Sequence, residues 1–124
     1  MIHVELNVET GIVEFRPEGA LSKNDFDAAA SIVDQYLDTH DTLNGLIINT
    51  ETFPGWESFG AMVKHLQFVK NHHERLLHVA LVTNSKFGDL IEKMARHFVA
   101  AEVKHFPYSQ LSEATTWILH AKQE

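Results

Sequence analysis

The strongest constraint on this chain is its alternation of short strand-like runs with amphipathic segments long enough to be helices. Ile2-His3-Val4-Glu5-Leu6-Asn7-Val8 alternates apolar and polar residues, the two-residue period of a half-buried strand. Glu9-Thr10-Gly11 reads as a tight turn into Ile12-Val13-Glu14-Phe15, which makes the pair a hairpin, and Pro17 with Gly19 closes the second strand. Ser22 is the expected N-cap of a helix, with Leu21 and Phe26 at the spacing of a hydrophobic staple. The apolar stripe of that helix is Phe26, Ala29, Ala30, Val33 and Leu37.

Asn44-Gly45 then punctuates the chain, and Leu46-Ile47-Ile48 is apolar on consecutive residues, as a strand buried on both faces requires. Phe59, Met62, Val63, Leu66 and Val69 give a second helical stripe. Leu77 to Val82 is another buried strand, and Ser85 heads a third helix with Phe87, Leu90, Ile91, Met94, Ala95 and Phe98 inward. Glu102-Val103-Lys104-His105-Phe106 is a last strand stopped by Pro107, and Ser109 caps a final helix through Leu111, Ala114, Ile118 and Ala121. The resulting order is β-β-α-β-α-β-α-β-α. It predicts one α/β domain over residues 1–124, with a mixed, mostly parallel sheet of about five strands and about four helices. The first strand lies antiparallel at or near an edge, where it invites pairing with a second copy.

Composition removes several classes of function. The chain has no cysteine, so disulfides, thiolate metal sites and a cysteine nucleophile are excluded. A formal net charge of −7 with scattered basic residues argues against nucleic acid as a partner. No apolar run approaches the roughly 18 residues that span a bilayer, and no signal segment is visible, so a cytoplasmic protein is expected.

The nine histidines do not assemble a metal site. His65, His72 and His73 lack the HExxH spacing that places two ligands on one helical face. His78 and His105 fall inside predicted strands, where hydrogen-bonded structural roles are expected. No GxSxG elbow, GxGxxG loop or P-loop is present, and the acidic residues spread along solvated helix faces. No catalytic residue, cofactor or metal is therefore expected, and the chain reads as a non-enzyme.

The segment Phe53-Pro54-Gly55-Trp56-Glu57-Ser58 is the best candidate for a site. In parallel α/β sheets, ligands collect beyond the carboxyl ends of strands, where loops lead into helices. If the ends of the second, third and fourth strands are neighbours, Phe53, Trp56, Asn84 and Phe87 wall one apolar cleft, with Gly55 and Ser58 on the same loop. The alternative is that Phe53 and Trp56 cover the core while Pro54-Gly55 makes a turn.

The order of elements, "FPGW" after the third strand, "LHVALV" as the fourth, "EVKHF" as the fifth and "EATTWI" in the last helix, resembles the SpoIIAA-like family. That family belongs with the STAS domains, the anti-sigma-factor antagonist fold, and is related in fold to the lipid-binding CRAL-TRIO domains. The resemblance implies a ligand-binding or protein-binding module. In regulatory STAS domains, a serine at the start of the second helix is phosphorylated. Laid along this chain from Phe53, the Asp-Ser-Ser-Gly turn puts its Asp near Gly55 and its serine near Trp56, so that switch does not carry over. The expected partners are a small apolar, lipid-like or amphipathic molecule, or a protein, at the loop from Phe53 to Ser58. The other reading is a regulatory switch that acts through phosphate on Ser58 or Thr52.

Overall fold

The computed structural model describes residues 2–52, 75–84 and 102–123, with side chains up to residue 120. Strands β1 (Ile2–Asn7), β2 (Ile12–Pro17), β3 (Leu43–Asn49), β4 (Leu76–Val82) and β5 (Glu102–Phe106) form one sheet in the order β1-β2-β3-β4-β5. The β1–β2 pair is antiparallel and the other three pairs are parallel. The expected mixed sheet of five strands is therefore present. Two α-helices, α1 (Lys23–Leu37) and α2 (Leu111–Gln123), fall within the described residues. The expected second and third helices lie outside them.

The hairpin is closed by side-chain chemistry as well as by glycine. Asn7 Oδ1 accepts the N–H groups of Glu9 (3.1 Å) and Thr10 (3.2 Å), and the Gly11 N–H donates to the Asn7 carbonyl at 2.9 Å. Gly11 has φ +69°, and a Cβ there would stand 2.9 Å from the Tyr36 hydroxyl. Both conformation and space select glycine at that turn.

Helix α1 begins where the sequence places it. The Ser22 hydroxyl accepts the Asp25 N–H, and the Asp25 carboxylate accepts the Ser22 N–H at 2.8 Å, a reciprocal capping box. Phe26, Ala29, Val33 and Leu37 are buried, and Ala30 is half-buried. At its other end α1 has no basic residue in its last turn. Arg75 supplies one from a distance: its guanidinium donates to the carbonyls of Leu37 (2.8 Å), His40 (3.0 Å) and Asp41 (3.0 Å). The Leu37 carbonyl is an acceptor that the helix end leaves unpaired, and the other two belong to the loop that follows.

The sheet is covered on both faces. Ala29, Val33 and Leu37 of α1 pack with Val13, Phe15, Leu43, Leu46 and Leu76. Ala114 and Ile118 of α2 pack with Ile12, Ile47, Ala80, Val82 and Phe106. The neighbours Ile12/Val13 and Leu46/Ile47 thus serve opposite cores, which is why their runs carry no polar alternation.

Two local expectations are corrected. Asn44-Gly45 does not interrupt the chain but lies inside β3. Gly45 pairs with Ile12 and His78 and faces α2, where a Cβ would come within 2.6 Å of Ile118 Cγ2. The glycine marks a close approach of helix to strand, not a turn. Ser109 does not cap α2; it sits within a 3₁₀ turn, Tyr108–Gln110, whose preceding Pro107 makes no side-chain cap. That turn carries the chain into the helix through the Gln110 N–H to Pro107 carbonyl bond at 2.9 Å.

Candidate functional site

The parallel strands end side by side, and backbone hydrogen bonds fasten the segments that leave them. The Thr50 N–H donates to the Val82 carbonyl (3.0 Å), and the Thr83 N–H donates to the Phe106 carbonyl (2.9 Å). The Glu51 carbonyl accepts both the Asn84 N–H (2.9 Å) and the Thr83 hydroxyl (3.1 Å). His105 Nε2 lies 2.8 Å from the Thr83 carbonyl. A carbonyl only accepts, so that nitrogen carries the proton. The carboxyl ends of β3, β4 and β5 are therefore one connected platform, and β2 lies beside β3 in the sheet, so the ends of the second, third and fourth strands are neighbours as the sequence argument requires.

Beside this platform, toward the hairpin, lies an open cleft of about 400 Å³. Arg16, Pro17 and Glu18 at the end of β2 line one side, and Asn49, Thr50 and Glu51 line the other. His3 and Tyr108 complete it. Its chemistry is polar. Asn49 Nδ2 donates to Glu14 Oε2 at 2.7 Å, while the buried Asn49 Oδ1 has no partner among the described residues. Arg16 donates to Glu5 (3.3 Å) and stands 4.0 Å from Glu14, so one cation bridges two carboxylates that face each other across the hairpin. His3 pairs with Glu18 at 3.1 Å.

Of the six residues singled out in the sequence, Asn84 is the one within the described region. Phe53, Gly55, Trp56, Ser58 and Phe87 lie outside it. Asn84 does not line the cleft. Its Oδ1 accepts the Tyr108 N–H at 3.0 Å, which fastens the start of the 3₁₀ turn to the β4 end. Its role here is to hold Glu51 and Tyr108, two lining residues, in place. Sequence reasoning missed Arg16, Glu18 and Asn49. Arg16 and Glu18 flank the Pro17 that was read only as a strand stop. Asn49 was hidden at the end of an apolar run, where a polar residue before a predicted loop gives no signal of burial.

The two strand histidines act structurally within the described contacts. His78 is buried in β4, with Nδ1 3.0 Å from the Asn44 carbonyl, Nε2 3.7 Å from Glu102, and its ring edge-on to Trp117 at 5.3 Å. Nδ1 therefore carries a proton. Among the described residues, no group of three or more His, Asp or Glu side chains converges as a metal site would require. None of the described helices is long and apolar enough to cross a membrane.

A family model described as SpoIIAA-like matches residues 12–119. The chain belongs to the SpoIIAA-like family. Among solved structures it is similar to an uncharacterised protein of the DUF3478 family with a SpoIIAA-like fold, from Shewanella loihica PV-4. The match has a TM-score of 0.76 and 19% identity, over 95% of this chain and 92% of that one. At that identity the likeness concerns the fold. No curated protein matches the chain. For the SpoIIAA-like domain described here, two of the residues that suggested the family, Ala114 and Trp117, have visible structural duties. Ala114 is fully buried on the sheet-facing side of α2, and Trp117 packs against His78 and Phe106.

Proposed function

We propose that this SpoIIAA-like protein is a non-enzymatic module that binds a small amphipathic ligand or a protein partner where the chain leaves β3. The observation that carries this reading is the platform at the carboxyl ends of β3 to β5, with the open cleft of about 400 Å³ beside it. Thr50 and Glu51 line that cleft and lead directly into the sequence Phe53-Pro54-Gly55-Trp56. Polar groups of Arg16, Glu18, Asn49 and Glu51 suit a polar head group. The aromatic residues that follow in sequence suit an apolar part. An amphipathic ligand fits that combination better than a purely apolar one.

Purified protein, extracted with organic solvent and analysed by mass spectrometry, is expected to release a bound small amphiphile. Trp56→Ala is expected to abolish the thermal stabilisation that this compound gives on re-addition. An empty extract, together with a ligand panel that shifts wild type and Trp56→Ala equally, would refute small-molecule binding at this loop. An enriched protein partner lost with the same substitution would identify the occupant as a protein.

A further inference from the structure

We propose that the outer edge of β1 pairs antiparallel with β1 of a second copy, about a two-fold axis through Val4. This surface meets the cleft beside the β3 platform only at His3, which also pairs with Glu18 at 3.1 Å, and its test needs no ligand. Among the described residues strand β1 is the end strand of the sheet, and it pairs with β2 without a bulge along all of Ile2 to Asn7. Natural sheets protect such edges with charged side chains, above all lysine, and with proline, bulges or inward charges. The segment Ile2-His3-Val4-Glu5-Leu6-Asn7 has no lysine, proline, bulge or inward charge, and its one carboxylate, Glu5, is paired with Arg16. On one face Ile2, Val4 and Leu6 are only half-buried against the α1 core; on the other, His3, Glu5 and Asn7 are exposed.

The partner is a second copy because the strand is complementary to itself in one register. A dyad that keeps both apolar rows on one face must pass through a residue, so that paired positions share parity. A dyad through Glu5 sets two carboxylates opposite each other, which is unfavourable. One through His3 sets imidazole against imidazole and leaves Leu6 outside the ladder. A dyad through Val4 sets His3 opposite Glu5 twice, Ile2 opposite Leu6 twice, and Val4 opposite Val4. Whichever alternate set of backbone amides points outward, this symmetry pairs donors with acceptors. Glu5 is already held on the polar face by Arg16 at 3.3 Å and His3 by Glu18 at 3.1 Å, so the His3–Glu5 pairs across the dyad would extend these contacts along the joined hairpins.

The absence of native cysteine makes the register directly readable. In the full chain, Val4→Cys brings two introduced thiols to facing positions, within the separation a disulfide spans. Asn7→Cys leaves them far apart. Mild oxidation is expected to give a covalent dimer with Val4→Cys and not with Asn7→Cys, and denaturant added before oxidation is expected to abolish it. Wild-type protein is expected to show a concentration-dependent dimer in light scattering. Glu5→Lys should weaken that dimer roughly tenfold, and His3→Glu combined with Glu5→Lys should restore it. A monomer at every concentration, equal cross-linking at both positions, or a dimer indifferent to Glu5→Lys would overturn the proposal. The Glu5→Lys arm keeps the test decisive if Val4→Cys fails to fold.

Discussion

Replacing Gly45 by alanine inserts one methyl group at the tightest contact between sheet and helix. Its Cβ would lie 2.6 Å from Ile118 Cγ2, 2.7 Å from Cδ1 and 3.1 Å from Cγ1. Ile118 is fully buried between β3 and the residues of β4 and β5 that share its core, so its side chain cannot swing into solvent. Relief must come from a rotamer change or a shift of α2, and overpacking of this kind costs about 1–3 kcal/mol. Against it stands the reduced entropy of the unfolded chain when alanine replaces glycine, worth about 0.4–1 kcal/mol. Gly45 lacks a positive φ, so alanine brings no backbone strain there. The net expectation is a loss of roughly 0.5–2 kcal/mol, read as a lower urea midpoint at unchanged slope. In an Ile118→Ala background the clash disappears, and the same Gly45→Ala change should become neutral or stabilising. The coupling between the two sites is what the reasoning requires. Gly45→Ala that leaves the midpoint unchanged, or the same effect in both backgrounds, would refute it.

Other expectations can be measured in the same assay. Ser22→Ala removes half of the capping box and should cost about 1 kcal/mol. Burial raises the Asp25 pKa, but the Ser22 backbone N–H that donates to its carboxylate, with further hydrogen-bond and charge contributions including that of the amino terminus, outweighs it and holds the carboxyl below its ordinary value. Its stabilisation is therefore fully present above the unfolded-state pKa and lost as pH falls through the folded one. A pH titration of stability should show a smaller acid-side loss in Asp25→Asn than in wild type. His78→Ala removes the imidazole hydrogen bond to the Asn44 carbonyl and opens a space beside Trp117. A loss of about 2–3 kcal/mol is expected by chemical denaturation. Arg75→Met keeps the aliphatic stem but leaves three carbonyls without their cation, and should cost about 1–2 kcal/mol.

Hairpin, α1 cap and buried strands were legible in the sequence because each depends on local signals. Glu9 to Gly11, Ser22 with its staple, and the consecutive apolar residues at 46–48 speak for themselves. Gly45 and Ser109 were misread because local chemistry there yields to tertiary contact. A glycine after asparagine looks like a turn until a helix lies against it, and a serine looks like a cap until proline starts a 3₁₀ turn one residue earlier. The platform at the strand ends was legible as a location. Its polar character was not, since Arg16, Glu18 and Asn49 come from two strands and acquire meaning only when β2 and β3 lie side by side.

The Arg75 clamp has a consequence for how the domain opens. The last turn of α1 is closed by a residue 38 positions beyond Leu37, and the Arg75 carbonyl in turn accepts the Leu43 N–H that starts β3 at 2.8 Å. The Asp34 and Tyr36 carbonyls are met locally by the Asp38 and Thr39 N–H groups, but the Leu37 carbonyl loses its Arg75 partner while β4 is detached. Amide hydrogen exchange in the final turn of α1 should share its protection with the first amides of β3 and β4, as one opening unit rather than as an independently fraying helix terminus.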